Sequence, residues 1–206
     1  MKSLVSRPLC VVAGLVFLAA ATAYSVPARS HPHVFIDNVA FVEFEDGKIK
    51  ALRLRWTFDE IFSFLLFEDF DKNKDKAFGK GETKALREGA FEALKELSYF
   101  THLRINGELK PVERVTDFKA SADKGRVTYE FVVPLDKPID PRITDVAFGV
   151  YDETFYVSVA HDPIDPVRLS GAGSGACHFR IAKDEKHPIY FGMVFPQKVD
   201  LICQTS

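Results

Sequence analysis

The spacing of hydrophobic and polar residues changes period several times along the chain, and each change marks an element boundary. Residues 33–44 (HVFIDNVAFVEF) alternate imperfectly and are rich in Val and Phe. Asp46-Gly47 follows, and residues 48–56 alternate again through Ile49, Leu52, Leu54 and Trp56. Period two buries one face and solvates the other, and Asp-Gly tolerates the positive φ of a tight turn, so this is a β-hairpin. Near Trp56 the period moves toward 3.6. Thr57 and Glu60 have the spacing of a capping box, and Trp56 and Ile61 that of a hydrophobic staple. Phe62, Leu66 and Phe70 then share one helical face, widened by Ile61, Phe64, Leu65 and Phe67. A helix apolar on so many sides is expected to be buried on most of them.

A second helix is predicted over 82–100, with Leu86, Ala90, Phe91, Leu94 and Leu97 as its stripe. Period two then returns. Residues 103–105, the Asn106-Gly107 turn and residues 109–115 form a second hairpin, and 126–135, 145–150 and 155–160 read as strands. The SGAGSGA run in the 170s reads as a flexible Gly/Ser linker, because it lacks the Gly-Lys-Ser/Thr of a phosphate loop. Residues 177–182 and 198–203 are candidate closing strands. The pattern predicts an α+β fold: a β-sandwich-like antiparallel domain over 31–206, with a helix–loop–helix inserted at 59–99.

Between the two predicted helices, residues 71–82 (DKNKDKAFGKGE) fit the twelve-residue calcium loop of an EF-hand. Asp71, Asn73 and Asp75 occupy positions one, three and five. The carbonyl of Ala77 supplies position seven, water held near Gly79 position nine, and Glu82 a bidentate carboxylate at twelve. A hard cation needs six to eight oxygens, and a coiled loop turns alternate residues inward. Lys76 stands where the motif wants Gly, and Lys72, Lys74, Lys76 and Lys80 outnumber the three acids. Calcium affinity is therefore expected to be weak, about 10⁻⁴–10⁻³ M. The same residues also suit a loop that keeps this shape without metal.

Composition narrows the class. The chain has 206 residues and a formal net charge of −2, enough for one substantial core and without the basic excess of a nucleic-acid binder. Lys2 and Arg7 precede an apolar run over 9–23 that ends in small residues, so residues 1–30 read as a secretory signal peptide, cleaved after Ala23, Ala28 or Ser30. Cys177 and Cys203 are then the cysteines of the exported protein, and an oxidising compartment favours a disulfide between them. A metal pair of Cys177 with His178 is the alternative.

His31-Pro32-His33 is the second candidate for chemistry. Two imidazoles two residues apart on an extended segment point the same way, and His161, at a predicted strand end, is placed to join them. Such ligands suit Ni, Co, Zn or Cu. Asp59 and Asp152, also at strand ends, are further candidate carboxylates. No Ser/His/Asp or Cys/His arrangement for a nucleophile is readable, so the chain is not read as an enzyme.

HPHVFID at 31–37, WTFDE at 56–60 with Phe62-Ser63, the acidic loop ending at Glu82, and FGVYDETF at 148–155 together resemble a bacterial family. It comprises uncharacterised exported proteins described as periplasmic components of transport systems and associated with nickel/cobalt-type permeases. The resemblance spans essentially the whole exported chain. It implies a periplasmic accessory protein that binds a divalent transition metal beside an inner-membrane metal permease. Family members usually carry Gly where this chain has Lys76, which again argues for weak calcium binding. The alternative function is a calcium-stabilised exported interaction domain that binds no transport metal.

Overall fold

Two β-sheets bury their inner faces in one core in the computed structural model, which describes residues 32–204. The expected signal peptide and His31 lie outside the described residues. Strands β1 (Val34–Glu45) and β2 (Lys48–Phe58) form the expected hairpin. Its turn places Asp46 and Gly47 at φ +50° and +75°, as a two-residue hairpin turn requires. Alternation does what the period predicts: Ile36, Ala40 and Val42 of β1 and Leu52, Leu54 and Trp56 of β2 are buried. The first sheet runs β5 (Thr116–Asp123), β6 (Arg126–Ile139), β2, β1, β8 (Val157–His161), and β9 (Val167–Gly171) also pairs with β1. The second runs β10 (Cys177–Lys183), β11 (Gln197–Cys203), β7 (Val146–Val150), β3 (Thr101–Ile105), β4 (Glu108–Lys110).

The first sheet departs from the antiparallel arrangement that the pattern predicts. β8 and β9 both pair with β1 in parallel, one after the other along its free edge. Parallel pairing needs a long crossover, and here the chain passes through the second sheet between β1 and β8. Side-chain period carries no record of that direction. The Gly/Ser run is also no loose linker. An added Cβ at Gly171 would stand 2.0 Å from the Phe44 carbonyl oxygen, and one at Gly173 2.5 Å from the Gly47 Cα. These glycines let the connection press onto the first hairpin. Just beyond, Cys177 and Cys203 face each other across β10 and β11 and are joined by the expected disulfide.

Helix α1 (Glu60–Phe70) starts differently from the sequence reading. Asp59 is its cap: one carboxylate oxygen accepts from the Phe62 N–H at 2.9 Å and the other from the Phe35 N–H at 2.8 Å. Thr57 stays in β2, its hydroxyl 3.0 Å from that of Thr128. The staple fails too, since Trp56 is in the core while Ile61 is 76 % exposed. The helix is not buried on most sides either. It presents Ser63, Leu66 and its flanking Phe residues to the core, and Ile61, Phe64 and Leu65 face outward. Ser63 pins it down by accepting from the Val127 N–H at 2.9 Å.

The second predicted helix breaks into three pieces. α2 (Lys80–Leu86) gives way to a wide π turn over Arg87–Phe91 and then a 3₁₀ stretch over Glu92–Phe100. Leu86 and Phe91 are five residues apart, a spacing that a π turn brings to one face, and both are fully buried. Phe91 packs against Phe118 at 4.4 Å, Phe131 at 4.9 Å and Tyr99 at 5.1 Å between ring centroids. The chain then reverses into β3 through Ser98, Tyr99 and Phe100, all at φ near +50°.

Candidate functional site

The 71–82 loop joins α1 to α2 and is built from its own side-chain oxygens. Asp71, 6 % exposed, accepts from the Asp75 N–H at 3.2 Å and the Lys76 N–H at 2.9 Å. Asn73 Oδ1 accepts from the Asp75 N–H at 3.0 Å, and Asp75 Oδ1 from the Ala77 N–H at 2.9 Å. Glu82 spans the loop. One oxygen accepts from the Lys72 N–H and the other from the Gly79 N–H, each at 2.9 Å, and the second bond closes the first turn of α2. Lys74 and Lys76 adopt φ +59° and +60°, so the coil forms without the glycine usual at position six, at a cost of roughly 1–2 kcal/mol per residue.

The donor set fits a hard divalent cation: three carboxylates, an amide oxygen and a carbonyl, at alternating positions of one short loop. The lysines are exposed on the outside, and Lys72 Nζ is turned away to the Asp69 carbonyl at 2.7 Å. The carboxylates are spread over the loop's N–H groups. Among the described residues no three His, Cys, Asp or Glu side chains converge closely enough to hold a metal ion.

The histidines are not brought together as expected. His33 precedes β1, its ring 4.8 Å from that of Tyr156. His161 pairs with Asn38, while Val157 pairs with Val34, so His33 and His161 are separated by about 16 Å along the strands. His161 Nδ1 accepts from the Asn38 side-chain N–H at 3.3 Å, the ring bonds to the Pro166 carbonyl, and burial lowers its pKa. Asp59 and Asp152 are likewise spent on structure. Asp59 caps α1, and Asp152, buried, accepts from the Thr154 N–H and hydroxyl and from the Val157 N–H.

A third place went unread in the sequence. His102 is 8 % exposed and lies flat on Tyr151, centroids 3.7 Å apart and planes 2° off parallel. It borders a cleft of about 300 Å³ shared with Asp152, Glu153 and the reversed turn at Ser98 and Phe100. A second hollow, against the hairpin that carries Pro188 to Phe191, shares Tyr151 and Glu153. The one signal was FGVYDETF, which contributes Tyr151, Asp152 and Glu153. His102 lies 49 residues from Tyr151 and carried no spacing to mark it.

A family model described as protein of unknown function (DUF1007) matches residues 16–201. An uncharacterised 15.5 kDa protein from the trpE 3′ region of Spirochaeta aurantia is 34 % identical over 128 residues, covering 62 % of this chain and 91 % of that protein. Among the described residues no helix is long and apolar enough to cross a membrane.

Proposed function

The chain belongs to the family of proteins of unknown function DUF1007, and we propose that it is a calcium-stabilised interaction domain working in an exported, periplasmic setting. The carrying observation is the 71–82 loop, an EF-hand-like coil whose Asp71, Asn73, Asp75 and Glu82 side chains already order its backbone. A bound cation would replace N–H donors as the partner of those oxygens and fasten α1 to α2. That would hold in place the outward face of α1, where Ile61, Phe64 and Leu65 form an apolar surface suited to a protein partner. The disulfide is consistent with export. The test is thermal unfolding of the exported form. Ten-fold Ca²⁺ over Kd stabilises by about 1.4 kcal/mol, and Asp71→Asn should abolish the rise. No rise at 10 mM Ca²⁺ would sink the reading.

A second reading is an accessory component of a nickel, cobalt or zinc transport system, with His31 and His33 as ligands and an inner-membrane permease as partner. One observation favours it: His33, the residue just ahead of β1, is exposed. His161 lies too far along the strand to share an ion with His33. Calorimetry with Ni²⁺, Co²⁺ and Zn²⁺ on protein with its native exported N-terminus tests it, and binding unchanged in a His31→Ala/His33→Ala variant would discard it.

A further inference from the structure

We propose that His102 and Glu153 form an open binding site for a divalent transition-metal ion, separate from the 71–82 loop and from the N-terminal histidines. The His102 tautomer is fixed by its surroundings. Its Nε2 lies 3.0 Å from the Tyr151 carbonyl oxygen, and a carbonyl only accepts, so the ring proton sits on Nε2. The other ring nitrogen, Nδ1, lies 3.9 Å from Glu153 Oε1, too far for a direct hydrogen bond. A cation between the two would be coordinated by both.

The surroundings are those of a ligand histidine. Metal-bound imidazoles characteristically give their other N–H to a backbone carbonyl or carboxylate, which fixes the ring and raises its basicity. The Tyr151 carbonyl fills that role, and the parallel Tyr151 ring holds the imidazole plane. Glu153 is 72 % exposed at its side chain, so it can close on an ion, while His102 at 10 % is fixed. The pair opens onto the cleft of about 300 Å³. Its wall contains Ser98 and Phe100 of the left-handed turn. Consecutive left-handed non-glycine residues persist only where the surroundings impose them, and such strain gathers at binding sites. One nitrogen and one carboxylate oxygen suit Zn²⁺, Ni²⁺ or Co²⁺ over Ca²⁺. With two protein donors the remaining positions fall to water or to a delivering molecule, which makes the ion exchangeable.

The experiment uses the exported chain carrying His31→Ala/His33→Ala, with Ca²⁺ saturating so that the loop does not compete. Co²⁺ is titrated by visible absorption and Zn²⁺ by competition. Uptake of one Co²⁺ is expected, weakened at least ten-fold by His102→Gln and by Glu153→Gln and unchanged by Glu45→Gln at the exposed end of β1. Gln keeps an N–H for the Tyr151 carbonyl, and Glu153 is exposed, so the second variant reports even where the first unfolds. No Co²⁺ uptake in the His31/His33 variant, or uptake indifferent to Glu153→Gln, overturns the proposal without touching the calcium reading, which the melting experiment decides separately.

Discussion

Two of the stretches that bend into left-handed backbone in this molecule are held by opposite means. In the 71–82 loop, Lys74 and Lys76 are exposed, and the coil is maintained by carboxylate and amide oxygens gripping backbone N–H groups. In the turn at Ser98, Tyr99 and Phe100 the latter two are buried among aromatic rings, and packing imposes the conformation. The first is held by polar groups for which water can substitute. The second is fixed by the core and holds one wall of the His102 cleft rigid. Strain held by polar groups is adjustable; strain held by packing is permanent.

The largest effect should come from the packed side. Phe91→Ala removes a fully buried ring that touches Tyr99 and the first sheet, and should cost about 3–5 kcal/mol in urea unfolding. A loss below about 1 kcal/mol would mean that packing does not hold the turn. On the polar side, Asp71→Asn leaves loop N–H groups with a weaker acceptor at a buried position. It should cost about 1–3 kcal/mol without added metal, measured in the same way, and the two losses should add if the regions are independent.

Glycine substitution then separates the two kinds of strain. Lys76→Gly relieves roughly 1–2 kcal/mol of left-handed strain and gives back about 0.5–1 in chain entropy, so a small net gain is expected together with tighter Ca²⁺ binding. Ser98→Gly should give no gain, because Ser98 Oγ accepts from the Val112 N–H at 3.3 Å and that bond is lost. Equal gains at both positions would erase the distinction. The smallest effect is in pH. Burial lowers the pKa of His102 and His161, so the folded state resists protons that the unfolded chain accepts. Stability from this source is complete above pH of about 6.5 and falls as the pH drops through that value. Urea midpoints between pH 8 and 5 should show the fall, and His102→Gln should make it shallower.

What could be read in advance follows from where the information lies. The hairpin at β1 and β2, the disulfide pair and the acidic loop are local or compositional, and each was legible from a few adjacent residues. Asp59 shows the limit of that kind of reading. Its capping role was hidden by Thr57 and Glu60, which have a good capping spacing, but Thr57 was already committed to Thr128 on a strand 71 residues away. Likewise Ile61, Phe64 and Leu65 announced a buried helix, and only the packed structure showed that no sheet covers them.

By itself the sequence determined the period of most strands, the turn residues, the oxygen-bearing side chains of residues 71–82 and the two cysteines available for a disulfide. These depend on backbone chemistry, on composition and on side chains within one element. Tertiary structure alone decided the parallel pairing of β8 and β9 with β1, the separation of His33 from His161, and the meeting of His102 with Tyr151 and Glu153. Those are set by which surfaces bury one another, a property of the whole core that no window of sequence contains.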